Sequence, residues 1–197
     1  VTLLDRELKG NNQCSVSVDD VHGGQIAIEY LASLGHKKIA WVSGPEKIPQ
    51  VADRGRGVAK AAKVASVSIE TVRVPLMNAA KGEEAAKEIL EMENLPTAIF
   101  CANDLLALGV MRGLISQGIR IPEQIAIIGY DDIEFAPSAA VPLSSISQPA
   151  YQIGVTAADL ILDECEGGEL HTHQQIRFQP RLVERASTNR TKVVEHE

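Results

Sequence analysis

The chain has 197 residues, of which 45% are hydrophobic and 23% charged, an ordinary globular composition. That length allows one large domain or two small ones with a sizeable core. A net charge of -7 excludes long-range attraction of a polyanion by these residues, so any basic surface for nucleic acid has to lie elsewhere.

Aromatic residues make up only 4%, which leaves Val, Ile, Leu and Ala to fill the core. The three cysteines, Cys14, Cys101 and Cys165, are widely spaced, and no CxxC or Cys/His zinc pattern is present. Cys101 sits in an apolar run and reads as a small core hydrophobe. Free thiols fit a reducing, cytoplasmic setting. No signal peptide and no run long enough to span a membrane is seen.

In chain order, strand-like and helix-like apolar runs alternate. Val1–Leu4 reads as a core strand with no polar lead-in, which points to a fragment whose upstream part is missing. Ser15–Val18 is a short strand. Asp19–Leu34 has helical spacing at Val21, Ile26, Ala27, Tyr30, Leu31 and Leu34, with Asp19 or Asp20 as N-cap and Gly35 as C-cap. Ile39–Val42 is a strand, Val51–Ala65 an Ala-rich helix, and Ile69–Val74 a strand. Ala79–Glu93 is a helix with Glu and Lys on its wet face, Thr97–Cys101 a strand and Asp104–Gln117 a helix. Ile125–Ile128 is a strand, with a helical turn near Glu134–Ser138. Leu143–Ser147 is a strand, Tyr151–Glu166 a long helix, and Gln174–Phe178 and Leu182–Glu184 short strands, before a polar tail from Asn189. Apolar strands in this rhythm imply parallel sheets covered by helices on both faces.

In open α/β sheets ligands bind beyond the carboxyl ends of the strands. Those ends carry Asp5-Arg6, Arg54 and Arg56, Asn103-Asp104, Asp131-Asp132 and Gln148. No nucleophile–base pair stands out. The set is rich in groups that make two hydrogen bonds at once, which suits the vicinal hydroxyls of a sugar. Each also has a plainer reading. Asn103 or Asp104 can be a helix cap, and the pair can also hold ligand. Asp131-Asp132 can be an Asx-turn. Arg54 and Arg56 can be a solvated helix face, Asp5-Arg6 an exposed pair, and Gln148 a helix start. Their shared position at strand ends is what argues for a site.

"VDDVHGGQIAIEYLASLGHKKIAWVSGP", "RGRG", "PTAIFCANDLLALGVMRGLISQGIRIPEQIAIIGYDDIEFA", "PLSSISQP" and "PRLVERAST" follow one another along nearly the whole chain. In that order they resemble the effector-binding region of LacI-family transcription regulators, which is similar to periplasmic sugar-binding proteins. The resemblance implies two doubly wound, parallel-sheet α/β subdomains joined by three crossing segments, with ligand between them. Residues 1–17 and 149–177 would form a first, incomplete subdomain, residues 18–148 and 178–190 the second, and residues 191–197 a tail. The helix-turn-helix and hinge helix of the family are not in this sequence, which would account for the acidic balance.

The resemblance also implies a ligand set. Asp5 matches the Asp ending the first-subdomain strand, and Arg6 follows it. Arg54 matches the Arg of R-x-x-G, Asn103 the Asn of the N-D pair (leaving Asp104 as the helix cap), and Asp131 the first Asp of G-[YF]-D-D. Gln148 matches the position before the crossover proline. Met77 falls where many members place an aromatic ring against the sugar. The Asp5-Arg6 pair points to ribose or a ribose-derived ligand.

A sugar effector, operator DNA contacted through a region outside this sequence, and a homodimer are the expected partners; no membrane, metal or cofactor is expected. His171-Thr172-His173 could bind a metal but reads as an exposed turn, with no third ligand apparent. Gly55-x-Gly57 is no dinucleotide fingerprint and Ser43-Gly44-Pro45 no nucleophile elbow. Two alternatives stand beside this reading. One is a sugar-binding protein feeding a transporter, which an upstream signal peptide would mark. The other is a sugar-acting α/β enzyme, which needs an activated acid/base pair that the sequence does not display.

Overall fold

The computed structural model describes residues 2–5, 13–168 and 171–189. The chain divides into two compact units, one of Val1–Asp19 with Gln148–Pro180, the other of Asp20–Ser147 with Arg181–Glu197.

The smaller unit has a parallel sheet of β1 (Thr2–Leu4), β2 (Cys14–Val18) and β8 (Gln175–Phe178) in the order β1-β2-β8. β2 is central, and all five of its residues are buried. Helix α5 (Ala150–Gly167) covers it with Ile153, Ala157 and Leu160, spaced as one helical face. These three join Cys14, Val16 and Val18 in a separate small core.

The larger unit is a six-stranded sheet in the order β4-β3-β5-β6-β7-β9. Its strands are β3 (Lys38–Ser43), β4 (Ser68–Arg73), β5 (Ala98–Cys101), β6 (Ala126–Asp131), β7 (Ser144–Ser147) and β9 (Arg181–Val183). All pairings are parallel except β7 with β9, which is antiparallel and closes one edge. The parallel-sheet expectation therefore holds with that exception, made possible because β9 returns from the other unit rather than from a helical crossover.

Helices α1 (Asp20–Ser33) and α2 (Pro49–Ala65) pack as one pair, α3 (Ala79–Leu90) and α4 (Asp104–Ser116) as another. Consecutive residues of β6 show that the pairs lie on opposite faces. A Cβ on Gly129 would meet the Asp104 carboxylate of α4, whereas the Tyr130 ring lies against Gly23 of α1. Within each pair, glycines bring the backbones together: a Cβ on Gly57 would sit 2.0 Å from the Val21 carbonyl, and one on Gly109 2.0 Å from that of Ala79. Branched aliphatics and alanine dominate the core, and the few aromatics are used centrally, Trp41 stacking on Phe100 at 4.6 Å.

One boundary differs instructively from the sequence reading. β6 does not end at Ile128 but runs on through Gly129 and Tyr130 to Asp131, in register with Ser144–Ser147 of β7. Tyr130 is fully buried, which makes "GYD" part of the strand rather than the loop after it.

Candidate functional site

The strand order of the larger unit reverses between β3 and β5: β3 connects outward to β4, and β5 continues the other way through β6 and β7. In such sheets the adjoining loops diverge at this point and leave a crevice at the carboxyl ends. Arg54, one turn into α2, lies there. Its side chain is 6% exposed. Nε donates to Asp20 Oδ1 at 2.8 Å and one terminal nitrogen to the Ala102 carbonyl, just past β5, at 2.6 Å. The guanidinium carbon stands 3.6 Å from the Tyr130 ring centroid, and the other terminal nitrogen is 3.8 Å from Asp131 Oδ1. Burial works against the Arg54 charge, but Asp20, Tyr130 and Asp131 together outweigh it and hold the group protonated.

Asp131 ends β6 with its side chain 32% exposed. Its φ of 102° and that of Asp132, 55°, are left-handed values that non-glycine residues adopt at a cost of about 1–3 kcal/mol. Such outliers cluster at ligand sites, and here they turn the chain sharply past the crevice. Asp132 is held on the other side by Arg185 at 2.7 Å.

The N-D pair is assigned the opposite way from the sequence expectation. Asn103, not Asp104, is the N-cap of α4: its Oδ1 accepts from the Leu106 amide at 3.0 Å. Its Nδ2 donates to the Met77 carbonyl at 3.4 Å, which still leaves one N–H and one lone pair of the amide. Asp104 is instead fully buried, with Oδ1 accepting from the Ser145 hydroxyl at 2.7 Å and Oδ2 from the Ile133 amide at 2.9 Å. It fastens the β6–β7 segment to α4. Burial pushes its carboxyl up to about 7 despite those two hydrogen bonds, and the nearby Asp131 and Asp132 add to the rise.

Met77 follows β4 and packs on Gly44, where a Cβ would come within 2.6 Å of its thioether. The structure therefore brings Arg54, Met77, Asn103 and Asp131 to one end of one sheet, linked through Ala102 and the Met77 carbonyl. Asp5 and Gln148 belong to the smaller unit, Asp5 just past β1 with φ 57° and its amide donating to the Val16 carbonyl at 2.8 Å. Arg6 lies outside the described residues. Arg56, in contrast to Arg54, is exposed and pairs with Asp53.

Sequence reasoning did not find the Asp20–Arg54 pair, 34 positions apart, or the Arg54–Tyr130 stacking. The available signal was Gly24 and Gly57 inside helical patterns, since such glycines mark close helix approach. The smaller unit brings a second departure. Cys14, His171 and His173 place their ligating atoms all within 4.8 Å of one another, supplying the third group that the sequence did not disclose.

In comparison with known proteins, the model of the periplasmic binding protein-like domain matches residues 28–188. The chain belongs to that family. Its similarities place it with the effector-binding regions of LacI-family regulators. The HTH-type transcriptional repressor PurR of Vibrio atlanticus (strain LGP32) is 36% identical over 167 residues, which are 84% of this chain and 50% of that protein. The HTH-type transcriptional repressor CytR of Escherichia coli (strain K12) is 31% identical over 176 residues, 88% of this chain and 51% of that one. The chain thus spans about half the length of the repressors it matches. Among solved structures, a LacI-family transcriptional regulator from Enterococcus faecium with bound ribose superposes with a TM-score of 0.87 at 32% identity, covering 95% of this chain and 69% of that one. No helix among the described residues is long and apolar enough to cross a membrane.

Proposed function

We propose that this chain senses a sugar for a transcriptional repressor, with ribose or a related pentose- or nucleoside-derived sugar as effector. The observation that carries this reading is the Arg54–Asp131 arrangement. A guanidinium fixed by Asp20 and Ala102 stands 3.8 Å from a partly exposed carboxylate at the switch point of the sheet. Fixed bidentate groups of opposite charge suit vicinal hydroxyls, and their rigidity removes the entropy of arranging them on binding. Asn103 adds a donor and an acceptor, and Met77 an apolar, polarisable surface. Asp5, Arg6 and Gln148 complete the proposed set, on the strength of the sequence resemblance. The ribose-bound regulator among the structural relatives supports the choice of sugar.

The sugar acts by differential affinity. Whichever arrangement of the two units it binds more tightly gains population. In a homodimer this shift alters the affinity for operator DNA of a region outside this sequence, by the reciprocal coupling of the two sites. The protein works in the cytoplasm and is not an enzyme. Among the described residues, Asp131 stands 3.8 Å from the Arg54 guanidinium, and Asp104, whose carboxyl is raised toward neutrality, is buried under two hydrogen bonds rather than placed to transfer a proton.

The test is calorimetric titration of the full-length gene product with ribose, with glucose, fructose and a purine base as controls. Saturable binding of ribose alone is expected. Binding of a different sugar would replace the ligand and keep the sensor; silence with all four would remove the sugar-sensing reading.

A further inference from the structure

We propose that Cys14, His171 and His173 bind a divalent transition-metal ion, with Zn²⁺ the best match to a mixed thiolate–imidazole set. The site lies wholly within the smaller unit, at the amino end of β2, and is independent of the crevice described above.

Local structure builds it from three directions. Cys14 is the first residue of β2 and is fully buried, with only a thiol to offer. The ladder between β2 and β8 begins beside it: the Ser15 amide donates to the Gln174 carbonyl at 2.9 Å, and the Gln174 amide reaches the Cys14 sulfur at 3.5 Å. That pairing lays the run leading into β8 against Cys14, and the single residue between the two histidines puts both imidazoles on its side. Past α5 the chain reverses through Gly168, at φ 49°, whose carbonyl accepts from the His171 amide at 3.2 Å. A Cβ on the preceding Gly167 would come within 3.3 Å of the His171 Cβ, so the small residues there keep the histidine in place.

The geometry points to a metal rather than to chance proximity. Cys14 Sγ lies 3.1 Å from His171 Nε2 and 3.7 Å from His173 Nδ1. Zn–S and Zn–N bonds of about 2.3 and 2.0–2.1 Å at a tetrahedral angle place sulfur and nitrogen about 3.6 Å apart, between those two values. The imidazole rings meet edge to face, with centroids 5.2 Å apart, so their nitrogens converge without the rings stacking. The imidazoles are partly exposed while the thiol is buried, which gives an ion a path in and leaves a fourth position for water or a carboxylate. Binding displaces the thiol proton to solvent and adds a metal-ligand tie between the start of β2 and the segment after α5, beside the hydrogen bonds already there.

The full chain without a histidine tag, titrated with Co²⁺, is expected to take up one ion with a thiolate-to-cobalt charge-transfer band and the visible absorption of a tetrahedral site. Zn²⁺ should displace it and raise the melting temperature. Cys14→Ser should abolish the charge-transfer band, and His171→Ala and His173→Ala should each weaken Zn²⁺ binding at least tenfold and remove the metal-dependent rise in melting temperature. Cys165→Ser, at an exposed thiol on α5, should change nothing. Because Cys14→Ser could disturb the buried strand, the two histidine variants, at partly exposed positions, serve as the second measure. Absence of the charge-transfer band in the unaltered chain, its loss in Cys165→Ser, or unchanged Zn²⁺ affinity in both histidine variants would overturn the proposal.

Discussion

Replacing Arg54 by methionine would leave Asp20, itself only 5% exposed, without its cation. Breaking a buried pair in this way costs about 3–5 kcal/mol, because the remaining charge keeps its desolvation penalty. Urea denaturation of Arg54→Met should show that loss, and the double variant Arg54→Met/Asp20→Leu should recover part of it. Asp131 behaves differently, since its carboxylate is partly exposed and its left-handed backbone suits asparagine nearly as well. Asp131→Asn is expected to keep the melting temperature while weakening the sugar at least tenfold in calorimetry, the worth of about 1.4 kcal/mol. Asp104 supplies a pH signature. Its carboxyl is raised from 3.8 to about 7, so the folded state holds a proton that the unfolded state has released. Its contribution is therefore full below about pH 4, is lost as pH rises toward 7, and is level above that. Relative to wild type, Asp104→Asn should gain stability across this window, by up to about 1.4 kcal/mol per pH unit from one proton. Parallel denaturation curves at pH 4, 5.5 and 7 decide it; a constant difference between the two proteins would contradict the assignment.

At the scale of elements, the larger unit depends on two helix pairs seated glycine to backbone. Gly57→Ala would force α2 away from the Val21 carbonyl of α1, and with it the Arg54–Asp20 pair; overpacking of this kind typically costs about 1–3 kcal/mol. Gly154 offers the contrasting case. It lies within α5 with nothing within 4 Å of its missing Cβ, so Gly154→Ala should stabilise the chain by about 0.5–1 kcal/mol through helix propensity. Thermal melts of the two variants should move in opposite directions. The helices and strands themselves were legible from apolar spacing. The cap of α4 was not, because Asn and Asp are near-equal caps and only burial under β6 and β7 singles out Asp104.

For the molecule as a whole, the proposed function requires a homodimer to turn sugar binding into a DNA response. The face of α4 with Leu108, Met111 and Ile115, together with Ala140, lines an apolar groove of about 370 Å³ on the larger unit, and Ile115 there is 42% exposed. An apolar stripe of this kind on a charged chain fits the second copy that the proposed function calls for. Sedimentation velocity of the full-length protein should show a dimer, and Ile115→Glu should shift it to monomer while leaving sugar binding in place.

The alternation of strands and helices, the parallel doubly wound sheet and the run of bidentate side chains at strand ends were determined by the sequence alone. Apolar periodicity and turn residues are local, and each is readable within a few positions of itself. Only the tertiary structure decided that Arg54 is a buried, fixed group rather than a solvated one, that Asn103 rather than Asp104 caps its helix, that β6 carries its tyrosine inside, and that Cys14 meets two histidines more than 150 positions away. Each of these rests on a partner remote in sequence. What a polar side chain does is set by the dielectric around it and by the groups that fill its hydrogen bonds, and the packing of sheets and helices brings those to it.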